Sequence, residues 1–290
     1  METKRKGVSL RFIYDDTLNT FKKYSFIFCP FIIFASFELV SLAIIYFAPR
    51  NPLRAVLGPP IETFWGEKFL HFPTNFFLYP KLLFYSRMGL TIFVGSLLTG
   101  VAVSLVFGIY SKEKVKLSAA FMSALKKYIS LILVVFVFTA LFFILNKVTY
   151  TGLARYFSAG HDRLLFIKPE LWLGPILAGI NFVLAILVQS AFIYTIPIII
   201  VETANPIKSI IRSVILFKRL FFKTIILVGL PMLFYIPKII LDFNNVFLME
   251  KFFPEIVIIV SVLGIVVSTL FIDALITVST AFLYLKNREE

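Results

Sequence analysis

Apolar residues in this chain come in long unbroken runs rather than in a period-two or period-3.6 alternation. Six of these runs stand out: Tyr24–Ala48, Met88–Tyr110, Tyr128–Leu145, Leu173–Val201, Phe221–Leu241 and Ile256–Leu285. A run of about 18 or more apolar residues predicts a transmembrane helix, because about 20 residues at a 1.5 Å rise cross about 30 Å of hydrocarbon. The spans and their connections occupy nearly all of the sequence. The pattern therefore predicts one all-α, polytopic transmembrane bundle of six spans over residues 1–290.

Three shorter stretches have a different pattern, and each precedes a pair of spans. In residues 9–23, Leu10, Ile13, Tyr14, Thr17, Leu18 and Phe21 fall on one helical face, with Arg11, Asp15, Asp16, Asn19, Lys22 and Lys23 opposite. In residues 116–128, Leu117, Phe121, Ala124, Leu125 and Tyr128 align, while Lys116, Ser123, Lys126 and Lys127 lie off that face. In residues 207–219, Ile207, Ile210, Ile211, Val214 and Ile215 oppose Lys208, Ser209, Arg212 and Ser213, and Phe217-Lys218-Arg219 follows. Such a split predicts a helix lying in the membrane interface. Thr20-Phe21-Lys22-Lys23-Tyr24 also resembles Ala124-Leu125-Lys126-Lys127-Tyr128. A threefold repeat of surface helix plus hairpin is the resulting expectation, over 9–110, 114–201 and 205–285.

Composition agrees with membrane residence. The chain is 59% hydrophobic with mean hydropathy +0.93, against about 45–50% apolar in soluble domains. Its formal net charge of +13 would suggest nucleic acid in a soluble protein. Here the basic residues flank spans, so the positive-inside rule accounts for them and no nucleic-acid partner is expected. Of the 29 Lys and Arg, 18 fall on the side of the amino terminus when the spans alternate. Both termini are thus predicted to be cytoplasmic. The lone Cys29 lies in the first run, which excludes an intramolecular disulfide. The basic amino terminus and the apolar run after it resemble a signal peptide, but the run is longer than an h-region and is expected to be retained.

The connections divide by composition. Pro49 to Arg87 is rich in proline and aromatic residues, which predicts short helices at headgroup depth. Asn146 to Trp172 is more polar, and Asp242 to Glu255 is short.

Around the third surface segment the residues Pro197, Ile198-Ile199-Ile200-Val201-Glu202, Asn205-Pro206-Ile207 and Arg212-Ser213 form a recognisable run. It resembles the membrane domain attached to some bacterial glycerophosphodiester phosphodiesterases, and related six-span proteins. The resemblance covers about 25 residues. It implies six spans with cytoplasmic interfacial helices in a bacterial cytoplasmic (inner) membrane. The phosphodiesterase barrel has no counterpart in the sequence, so hydrolase activity is not implied. Ile211 stands where that family has Ala, and the glycine after the basic pair is missing.

Candidate chemistry is sparse. Glu38 and Asp273 interrupt the first and sixth apolar runs. A charged group at the bilayer centre costs about 2.5–3.5 kcal/mol on insertion scales, so both should face the bundle interior. They read either as a proton or cation site or as neutral structural acids, and no Lys or Arg is expected at their depth. Asn181 and Gln189, eight residues apart in the fourth run, share a face and with Ser190 and Tyr194 suggest a polar seam or packing glue. Pro231 and Pro237 predict a kink in the fifth run. His71 and His161, with Glu62, Glu67 and Asp162 nearby, match no zinc spacing. No phosphate-binding loop, zincin or nucleophile-elbow motif is present. Neither enzymatic activity nor a cofactor is expected.

Lys22, Lys23, Lys126, Lys127, Lys208, Arg212, Lys218 and Arg219 are the candidate contacts to anionic lipid headgroups or to a protein partner. The leading functional expectation is a non-enzymatic scaffold, assembly factor or accessory subunit of a membrane complex. The alternative is a small transporter or lipid-handling protein using Glu38, Asp273, Asn181 and Gln189. That alternative requires the two acids to share a cavity.

Overall fold

A computed structural model describes residues 9–113, 115–158 and 169–289. Among these residues the chain is helical with turns and contains no strand. Six helical segments have the length and composition to cross a membrane: Ser25–Phe47, Asn75–Tyr110, Tyr128–Leu153, Gly174–Glu202, Phe221–Phe243 and Ile256–Arg288. The protein is thus an integral membrane bundle with the predicted number of spans. Their outward surfaces remain apolar, as Ile129, Val183, Phe222 and Leu263 show. Lipid, not water, is the solvent such a surface requires.

Two expected boundaries move. The second span begins at Asn75, not Met88, so Phe76 to Arg87 belongs to a 36-residue helical segment. The helix of the third span continues unbroken to Ser158, so residues 146–158 are helical instead of forming a loop. The Pro-rich connection does fold into short helices, Leu53–Trp65 and Glu67–Leu70, packed through Ile61 and Leu70. His71 lies beside Glu67 at 3.9 Å; His161 and Asp162 lie outside the described residues.

The three segments before the span pairs are helices: Leu10–Lys23, Leu117–Leu125 and Pro206–Arg219. The second and third bury small residues and turn large apolar ones outward, while the first buries Ile13 together with its threonines. Thr17 and Thr20, Ala120 and Ala124, and Ser209 and Ser213 face the bundle. Phe12 and Leu18, Phe121 and Leu125, and Ile207, Ile211 and Ile215 are exposed. Small inward residues let backbones approach closely, as between helices in lipid. Gly100 of the second span shows how closely: a Cβ there would stand 2.7 Å from Leu131 Cδ1 and 3.3 Å from Ala124 Cβ.

Polar bonds hold this end of the bundle. The Lys127 ammonium donates to the Ile199 and Ile200 carbonyls at 3.0 and 2.6 Å. It caps the end of Thr195–Glu202 as a cation at a helix C-terminus does, and burial pushes its pKa below the ordinary lysine value. Lys286 pairs with Asp16 and lies 3.8 Å over the Phe12 ring, fastening the first short helix to the sixth span. Asn205 caps Pro206–Arg219 by accepting from the Ile207 amide.

Candidate functional site

Glu38 sits near the middle of the first span and is 1% exposed. The charge that makes this tolerable comes from the second span. Arg87 Nε lies 2.8 Å from Glu38 Oε1, and Arg87 Nη2 lies 3.7 Å from Asp273 Oδ2 of the sixth span. The first contact is an ion pair whose N–H is not aimed along the bond, so Oε1 has no hydrogen bond of good geometry. The other Glu38 oxygen accepts from Thr269 at 2.5 Å. The apolar runs place Arg87 in an outer loop and give the two acids no basic partner at their depth. The structure corrects this: Arg87 is at their depth and bridges them.

Helix irregularities flank the cluster. The second span passes through a π-helical turn at Thr91–Gly95, one turn beyond Arg87. The sixth span is π-helical over Val266–Asp273, with Thr269 within the segment and Asp273 at its end. Such insertions widen the turn and re-aim side chains, and they concentrate at functional sites. The fifth span breaks at its prolines, as predicted: an α-helix ends at Met232, a 3₁₀ turn runs over Leu233–Tyr235, and a new helix starts at Ile236. That turn sets Tyr235 beside the Arg87 guanidinium.

A cavity of about 190 Å³ opens at the cluster, on the side toward the termini. Arg87, Asp273, Gln189, Thr91 and Thr277 supply its polar wall, and Phe31, Phe34, Phe138 and Phe192 its apolar one. Arg87 and Asp273, whose side chains are 28% and 38% exposed, both line this space. A second cleft, about 480 Å³, lies on the far side between the fourth and fifth spans. Phe84, Asn181, Tyr235 and Asp242 line it. The cluster and Tyr235 therefore stand between two cavities in opposite halves of the bundle.

Asn181 and Gln189 occupy different cavities, so the predicted seam divides. Asn181 Oδ1 is buried without a partner. Ser190 is buried, and Tyr194 instead bonds the Thr224 hydroxyl at 2.5 Å. Another cation within a span, Lys238, pairs with Asp242, its stem lying across Gly264 of the sixth span.

Of the basic candidates, Lys22, Lys23, Lys126, Lys208, Lys218 and Arg219 are exposed near the terminal end. Lys127 turns inward, and Arg212 pairs with Glu202. Glu202 also accepts from the Tyr284 hydroxyl at 2.6 Å. Comparison of the chain with protein-family models, with curated proteins and with solved structures returns no match.

Proposed function

We propose that the protein is a carrier rather than an enzyme, residing in a bacterial cytoplasmic membrane with both termini and the three short helices in the cytoplasm. Its cargo on this reading is a small anionic amphipathic solute, moved together with a proton. The observation that carries the proposal is a cavity between the spans lined by Arg87 and Asp273. Glu38 is buried behind Arg87 and does not line it, so the two acids share the guanidinium and not, as the sequence reading required, the cavity. Ionisable groups inside spans are by default candidates for solute and ion pathways.

The two acids hold Arg87 unequally. Glu38 is close and fully buried, whereas Asp273 is farther away and faces the cavity. A proton delivered to Asp273 releases the Arg87 guanidinium from that side. A solute carboxylate or phosphate then takes the vacated place. For a monoanionic solute, one carboxylate becomes neutral as one negative charge enters, so the net charge of the cluster is unchanged and no isolated charge is buried. The phenylalanine wall receives the apolar part of the solute. Cavities on both sides of the cluster, and a fifth span broken where Tyr235 meets Arg87, suit alternating access. A scaffold or accessory subunit, the leading expectation from sequence, needs no internal cavity and ranks below the carrier.

The test is proton movement in proteoliposomes loaded with a pH-sensitive dye and presented with small carboxylates, sulfonates and phosphate esters. One solute class should carry protons inward with it, and Arg87→Gln and Asp273→Asn should abolish this while remaining monodisperse. Proton movement no greater than in protein-free vesicles for every solute would contradict the proposal, as would unchanged coupling in Asp273→Asn.

A further inference from the structure

A separate cleft of about 250 Å³ lies where the fourth and sixth spans and the third short helix meet, at the terminal end of the bundle. Arg212 and Arg219 reach it from the short helix, and Tyr284, Asn287 and Arg288 from the end of the sixth span. Glu202 is the carboxylate of the cleft, and both its oxygens are engaged, one by Arg212 and one by Tyr284. Arg219 and Arg288 have no carboxylate partner among the described residues. Among the described residues, three guanidinium groups and one carboxylate line the cleft, an excess of two positive charges. Like charges directed into one concavity repel unless an anion enters between them.

We infer that this cleft binds a phosphate group, that of an anionic phospholipid. Guanidinium groups match phosphate oxygens in a planar, bidentate way that scattered lysines do not. The setting selects a lipid as the source. Ile198, Ile215 and Leu216 form the apolar wall of the cleft, and Ile211 and Ile215 continue it outward as exposed surface along which acyl chains can lie. Basic pockets at the ends of spans hold anionic headgroups in this manner. Glu202 fixes Arg212 in place, so the site is formed before the lipid arrives. The inference does not depend on the carrier reading.

The test is native mass spectrometry of the full chain in detergent, titrated with phosphatidylglycerol, phosphatidylcholine or inorganic phosphate. Arg219→Gln/Arg288→Gln leaves the Arg212–Glu202–Tyr284 contacts intact, and Lys22→Gln/Lys23→Gln removes the same charge elsewhere. One phosphatidylglycerol should be retained by the wild type and by the lysine variant, with affinity at least tenfold lower in the arginine variant. Phosphatidylcholine should bind weakly to all three. Binding of inorganic phosphate alone, with the same arginine dependence, would uphold the phosphate site and overturn its lipid source. Equal loss of phosphatidylglycerol in both variants, or none in either, would overturn the site.

Discussion

The Arg87 guanidinium lies 2.8 Å from the Glu38 carboxylate, joining the first and second spans at a depth where neither charge would be stable alone. Because Asp273 shares the same guanidinium, three spans meet at one cation. Removing it would leave two acids without compensation. Loss of one partner of a buried pair costs about 3–5 kcal/mol, and the lower end applies here because Arg87 is partly exposed to the cavity. Arg87→Met should therefore lower the unfolding temperature in detergent markedly. The triple variant Arg87→Met/Glu38→Gln/Asp273→Asn should recover much of the loss, since it buries no unpaired charge. A triple variant no more stable than Arg87→Met would show that the three groups are not coupled.

Close approach at Gly100 makes a second prediction. In Gly100→Ala the new methyl meets the flexible end of Leu131, so repacking should limit the cost to about 1–3 kcal/mol. Gly100→Leu has no such escape, because Ala124 of the second short helix is also against it. That variant should free Leu117–Leu125 from the bundle, seen as protease sensitivity within residues 115–127 that Gly100→Ala does not show.

Lys127 offers a third. Its two bonds to the Ile199 and Ile200 carbonyls tie the second short helix to the end of the fourth span. Hydrogen bonds from charged groups contribute about 1.5–3 kcal/mol. Lys127→Met should destabilise by an amount in that range, whereas Lys126→Met, at the exposed neighbouring position, should leave the unfolding temperature unchanged.

Much of the architecture was legible because a bilayer imposes one length on every apolar helix. The six spans and the helices at Leu10–Lys23, Leu117–Leu125 and Pro206–Arg219 follow from run length and 3.6-residue periodicity. The broken fifth span follows from Pro231 and Pro237. The site was legible only in part. Glu38 and Asp273 were conspicuous as acids in apolar runs, but Arg87 was not. It falls after Pro80 and Lys81 in an aromatic-rich stretch, where a count of apolar residues stops early. The hydropathy of an arginine takes no account of two carboxylates on neighbouring helices, and that pairing exists only in the tertiary structure. Which residues of the short helices pack inward was not legible, because periodicity separates an apolar from a polar face without saying that Ser209, Ser213, Ala120 and Ala124 take the packed positions.

The central claim is that Arg87 and Asp273 face an internal aqueous space rather than lipid or a dry seam. Single cysteines in a Cys29→Ser background test it directly, using a small charged thiol reagent. Gln189→Cys and Thr91→Cys line the cavity, and Val183→Cys and Leu263→Cys face outward from the spans. The first pair should react with the reagent and the second pair should not. Inert cysteines at 189 and 91, matching those at 183 and 263, would mean that no water reaches Arg87 and Asp273, and the carrier account would fail.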